Sequence, residues 1–187
     1  CNADTLEIKY FHETYTSPEI RKWFDKVIKL YKRWTDFEFN WKRSRNASIE
    51  GLEFPFDYRE GQRQLMGSVY HCIRAGERMF IQAPTGTGKT VATVFPSVKA
   101  MGEGILDKIF YLTAKTVTRA VAGECTDTLR AGGLKLKSAV ITAKEKICPL
   151  DEMKCDPDGC PYAKGHFDRV NDAMYELLTS EDSFDKG

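Results

Sequence analysis

The stretch QAPTGTGKT, Gln82 to Thr90, decides how the rest of this chain is read. It follows the apolar run Met79-Phe80-Ile81 and opens into Val91, Ala92, Val94 and Phe95, so a strand, a glycine-rich turn and a helix succeed one another. In such a turn the backbone N–H groups of Ala83, Thr85, Gly86, Thr87 and Gly88 point with the helix N-terminus at one spot, and the aligned peptide dipoles favour phosphate there. Lys89 would reach the β- and γ-phosphates of a nucleotide, and the Thr90 hydroxyl would hold Mg²⁺. A plain strand-to-helix turn would account for the glycines but not for the agreement of strand, loop and helix with the lysine-threonine ending.

Downstream the same alternation repeats. The helix from Lys89 is expected to bend or end near Pro96, a strand at Ile109-Phe110-Tyr111-Leu112 follows, and then come a helix over Val117 to Leu129, a Gly132-Gly133 stop and a strand at Ala139-Val140-Ile141. Strand, helix, strand implies parallel pairing by right-handed crossovers, hence a three-layer α/β domain around a parallel sheet. Phe167, Val170, Met174, Leu177 and Leu178 predict a closing helix.

Upstream, Met66, Val69, Tyr70 and Ile73 share one face of a helix over Glu60 to Ala75, with Gly76 as its stop. From Ser17-Pro18-Glu19, apolar residues recur at Ile20, Trp23, Phe24, Val27, Ile28, Tyr31 and Trp34, which is the period of a long amphipathic helix. Asn46 to Gly51 reads as a joint. The expected division is a helical extension over residues 1–50, a nucleotide-binding domain over 51–142 and a cysteine-rich region over 143–187.

The 187 residues, 42% hydrophobic and 12% aromatic, suffice for a buried core and exclude a disordered tail. A net charge of +1 excludes a uniformly basic nucleic-acid binder, although a local basic face would not show in that sum. No apolar run approaches the roughly 20 residues needed to span a bilayer. The start, CNADTLEIKY, lacks the shape of a signal peptide, so a soluble, cytoplasmic protein is expected. The chain has no initiator methionine and opens on Cys1-Asn2-Ala3, which reads either as a cloning remnant or as the edge of a piece of something longer.

Two further constellations carry chemistry. Gln62, about one helix before the phosphate loop, has an amide able to pair with N6 and N7 of adenine, and Phe54, Phe56 and Tyr58 beside it would stack on a base or pack. In KICPLDEMKCDPDGCPY, Lys146 to Tyr162, three of the six cysteines, Cys148, Cys155 and Cys160, cluster among Pro149, Pro157, Gly159 and Pro161. Thiolates on an irregular loop can converge on one centre. Zinc would need a fourth ligand such as His166 or Cys125, and an iron–sulfur cluster a fourth cysteine, either Cys125 or one past Gly187. Asp151-Glu152 looks like the acidic pair of ATPases, but no buried strand precedes it and it sits between two prospective ligands, so that reading fails.

Taken together, YREGQRQLM, QAPTGTGKT, IFYLTAKTVTRA, ITAKEKICPL and CPYAKGHFDR resemble the first half of the iron–sulfur DNA helicases of superfamily 2, the DinG-like and XPD-like group, over about Phe54 to Asp168. The resemblance implies a RecA-like ATP-binding motor domain with an inserted 4Fe-4S cluster region, moving 5′ to 3′ on single-stranded DNA, in the manner of DNA repair enzymes. By position Gln62 is similar to the adenine-reading glutamine, and Lys89 and Thr90 to the ATP and Mg²⁺ residues. Thr113, Lys115 and Thr116 resemble the motif that touches the DNA backbone, and Cys148, Cys155 and Cys160 resemble three of four cluster ligands, the family's fourth lying past Gly187.

The chain departs from that pattern in lacking an acidic box after an apolar strand and a second motor domain, so it reads as a truncated helicase that would not unwind DNA by itself. Two rival readings are a zinc-stabilised nucleic-acid-binding module and a P-loop ATPase other than a helicase.

Overall fold

In a computed structural model of the chain, residues 5–114 and 116–185 are described. They form helices α1 (Ser17–Glu50), α2 (Gln62–Ala75), α3 (Lys89–Gly102), α4 (Thr116–Ala131) and α5 (His166–Ser180), strands β1 (Ser138–Ala139) and β2 (Ser183–Phe184), and a 3₁₀ turn at Lys144–Lys146. The chain divides into two compact units, residues 1–40 and 41–187.

In the first unit, the Glu19 carboxylate reaches back over the start of α1. The Thr16 amide and hydroxyl both donate to it at 2.7 Å, which satisfies the orphaned Thr16 N–H. Those bonds hold the Glu19 carboxyl below its ordinary pKa. Ile20, Trp23, Phe24 and Val27 recur as expected, and all are exposed.

In the second unit, α1 continues to Glu50, so the expected joint from Asn46 is helical and the break comes only at Gly51. The reason is burial: Ile49 is 1% exposed and packs into the core, and Lys99 Nζ donates to the Ile49 carbonyl at 2.8 Å, capping the helix end. The core gathers Leu52 and Met66 with Val91, Ala92, Val94, Phe95, Val98 and Met101 of α3, then Leu129 of α4 and Leu134 and Leu136 after it. Side chains as buried as Val98 and Leu129 are each worth ~1.5–3 kcal/mol. α2 packs along α3, and α4 joins them.

Because α3 is buried along most of its length, it runs through Pro96 to Gly102 instead of ending there. Proline deprives the helix of one backbone bond, and packing of Pro96 and its neighbours offsets that loss.

The three-layer parallel sheet is corrected to something smaller. Among the described residues the sheet is the parallel pair β1–β2, with Ser138 opposite Ser183 and Ala139 opposite Phe184. Met79–Ile81 and Ile109–Leu112 run without ladder pairing, and Phe80 and Leu112 are 98% and 88% exposed. A parallel strand exists only through partners distant in sequence, and among the described residues no backbone hydrogen bond gives these apolar runs one.

The third expected strand is shortened to Ser138–Ala139, and its partner, β2, lies beyond α5. The cysteine-rich segment therefore leaves the pair after β1 and returns to it at β2, so its two ends are clamped together. Arg130 performs the clamping, with Nε on the Leu136 carbonyl at 3.0 Å and Nη2 on the Asp182 carbonyl at 2.9 Å. Lys137 adds an ion pair to Asp182 at 2.7 Å and a cation–π contact over Trp41 at 4.0 Å.

Candidate nucleotide site and cysteine loop

The phosphate loop is held by its own side chains. Gly86 and Gly88 have φ of 83° and 73°, the left-handed region, and Gly88 is the residue at which α3 begins. Lys89 folds back over the loop, its ammonium donating to the carbonyls of Ala83 at 2.8 Å and Pro84 at 2.6 Å. The Thr87 hydroxyl bonds the Pro84 carbonyl at 3.0 Å. Thr85 is exposed at the loop tip, and space beside Gly86 is open.

This arrangement fits a nucleotide. A cradle of left-handed glycines adjoins a helix N-terminus, and the Lys89 ammonium is held by weakly basic carbonyls that a phosphate would outcompete.

Gln62 lies at the start of α2 and is 5% exposed. Its Oε1 accepts from the Arg59 amide at 3.1 Å, and its Nε2 donates to the Thr87 carbonyl at 3.3 Å. The expected base reader thus also braces the phosphate loop against the segment before α2. A cavity of about 600 Å³ opens beside it, lined by Phe56, Tyr58 and Arg59 on one side and by Glu124, Cys125 and Thr128 on the other. Phe54 does not enter this lining; it stacks on Tyr58 at 4.6 Å and meets Phe95 edge-on at 5.3 Å. A second, more open cavity of about 700 Å³ near the end of α2 holds none of the expected site residues.

The α4 wall was not legible as part of a site in the sequence. Val121, Glu124, Cys125 and Thr128 recur at helical spacing, and that signal reads equally well as an ordinary packed helix face. Burial pushes the Cys125 thiol up to about 11.

Thr90 has a neighbour of its own: its Oγ1 lies 3.4 Å from the Tyr111 hydroxyl. Tyr111 belongs to the extended run that leads to Thr113, which is half-buried. Lys115 lies outside the described residues, and Thr116 is the first residue of α4.

In the cysteine loop Cys148 is half-buried, Cys155 exposed and Cys160 buried. Asp156 shapes the turn between the last two, its Oδ1 accepting from the amides of Asp158 at 3.0 Å and Gly159 at 2.7 Å. A hydrogen bond to Cys155, with the influence of Cys160 and Cys148, holds the Lys144 ammonium above its ordinary pKa. Even so, among the described residues no group of three or more Cys, His, Asp or Glu side chains is gathered as a metal site. Lys144 is bonded to Cys155, and the three thiols are not gathered into a ligand set in this arrangement.

A family model for DEAD/DEAH box helicases matches residues 59–156, just over half of the chain. The proteins named regulator of telomere elongation helicase 1 homolog from Drosophila sechellia and Drosophila melanogaster are each 40% identical to this chain over 47 residues. That stretch is 25% of this chain and 5% of either relative, so the match spans a small part of their length. No solved structure gives a significant match. Among the described residues no helix is long and apolar enough to cross a membrane.

Proposed function

The chain belongs to the DEAD/DEAH box helicases, and from that premise we propose that it is the nucleotide-binding part of an ATP-dependent DNA helicase. The observation that carries this reading is the Lys89 ammonium resting on the Ala83 and Pro84 carbonyls inside a loop of left-handed glycines.

Lys89 turns from those carbonyls to the β- and γ-phosphates, and the amides of Thr85 to Gly88 close on the same oxygens. Thr90 offers its hydroxyl oxygen to Mg²⁺, while Gln62 and the aromatic rings of Phe56 and Tyr58 take the adenine. ATP with Mg²⁺ supplies the phosphoanhydride bond whose hydrolysis drives such motors. Thr113, Lys115 and Thr116 contact the backbone of single-stranded DNA, and in the parent protein movement is 5′ to 3′. Contacts of this kind make binding fall steeply with salt.

For the cysteine loop we propose that Cys148, Cys155 and Cys160 supply three ligands of a 4Fe-4S cluster. The support is the family resemblance and the grouping of the three cysteines in one loop, not an assembled site.

The test is titration of a fluorescent ATP analogue into the full chain and its Lys89→Ala variant. Removing a charged hydrogen-bond donor from the phosphates is expected to weaken binding about 100-fold. Equal affinity in the two proteins, or no binding by the unaltered chain, refutes the assignment.

A further inference from the structure

A hydroxyl that ligates a metal does so through an oxygen lone pair, and its proton must then go to another acceptor. For Thr90 the group in position to take that proton is the Tyr111 hydroxyl, at 3.4 Å. Neither hydroxyl has a carboxylate partner among the described residues, so the pair is left to arrange itself. At 3.4 Å the contact is longer than the ~2.7–2.8 Å usual for hydroxyl pairs, and side-chain rotations that bring the oxygens about 0.6 Å closer make it a full hydrogen bond.

The placement of Tyr111 is specific. It comes from Ile109–Leu112, a run far from Thr90 in sequence, and it is the member of that run whose polar tip meets the loop, while Phe110 and Leu112 point to solvent at 74% and 88% exposure.

We infer that Tyr111 is a positioning residue for the Mg²⁺ end of the nucleotide site, accepting the Thr90 proton and so turning the Thr90 oxygen towards the metal. The inference rests on the nucleotide-loop reading above and adds a residue to it. Since Tyr111 stands two residues before Thr113, the run proposed above to touch DNA is also the one that orients the metal-binding hydroxyl.

The experiment measures the affinity of the full chain for a fluorescent ATP analogue with Mg²⁺ and with EDTA, in unaltered, Tyr111→Phe, Thr90→Ala and doubly substituted proteins. Tyr111→Phe keeps the ring and removes only the hydroxyl. The expected result is a loss of about five-fold in the Mg²⁺-dependent gain in affinity, the size of one net hydrogen bond, with the EDTA value unchanged. In the Thr90→Ala background the same change is expected to have no further effect, because Tyr111 acts through Thr90.

A Tyr111→Phe protein with the unaltered Mg²⁺ dependence overturns the inference and leaves the nucleotide site standing. Equal weakening with Mg²⁺ and EDTA also overturns it, since that marks general support of the loop. An unaltered chain that binds no nucleotide removes the reading beneath.

Discussion

The phosphate loop and the cysteine loop are both glycine- and proline-containing turns with reactive side chains, yet they are organised in opposite ways. In the first, Lys89, Thr87 and Gln62 each bond a carbonyl of the loop itself, so the cradle exists before any ligand arrives. In the second, Asp156 fixes one tight turn and Lys144 bonds Cys155, but no ligand set is assembled among the described residues. Polar side chains can build an anion site because its ligands are amides that the fold must aim somewhere anyway. A metal site requires thiolates that repel one another, so the metal itself has to gather them.

The sharpest way to break this comparison is at Gly88. A Cβ there would sit 2.4 Å from Gln62 Nε2, at a φ of 73° that L residues rarely adopt. Gln62 is buried and bonded on both sides, so its amide cannot simply swing aside. Gly88→Ala is expected to cost about 2–4 kcal/mol in urea unfolding, combining the left-handed penalty with one or two lost hydrogen bonds, and to abolish ATP-analogue binding. If the cost is undiminished in a Gln62→Ala background, the clash is not its cause and the loop is not braced by Gln62.

The shape of the glycine loop was legible because it is local. Eight adjacent residues carry the turn, the lysine and the hydroxyl, and α3 follows directly, so spacing alone put Lys89 and Thr90 at the start of a helix. The helices were legible for a similar reason, since the faces of α2 and α5 repeat within a few turns. The sheet was not, because Met79–Ile81 and Ile109–Leu112 have the composition of strands while pairing depends on segments that composition does not name. Nor were the partners that come from far along the chain, such as Tyr111 beside Thr90, Arg130 on the Asp182 carbonyl, or the α4 wall of the cavity. Each of these residues has an ordinary reading as a surface or packing side chain until the fold supplies its neighbour.

A smaller effect separates Cys125 from ordinary thiols. Burial raises it to about 11, so at pH 8 it is almost wholly protonated, with roughly a hundredth of the thiolate it would have at its ordinary value. The greater nucleophilicity of a more basic thiolate recovers part of that. Alkylation by iodoacetamide is therefore expected to be about ten-fold slower in the folded chain than in urea, and slower again with ATP analogue in the cavity that Cys125 lines. Labelling at the unfolded rate, followed by mass spectrometry of the Cys125 peptide, would show that the wall is open.

The smallest expected effects belong to the cysteine loop, and they sharpen the contrast most. In metal-free, reduced protein Cys155→Ser exchanges one exposed polar atom for another and should change stability by less than ~0.5 kcal/mol. Cys160→Ser places a hydroxyl at a buried position and should cost about 1 kcal/mol. If a cluster is what gathers these thiols, this inequality must vanish on loading. Anaerobic reconstitution with iron and sulfide should raise the melting temperature of the unaltered chain, and either substitution should remove that rise to the same extent, because ligands of one centre share its fate. A rise that survives Cys155→Ser would exclude that thiol as a ligand. A rise with zinc but not with iron and sulfide would turn the loop into a zinc site, and the comparison would then be between two loops ordered by different ions.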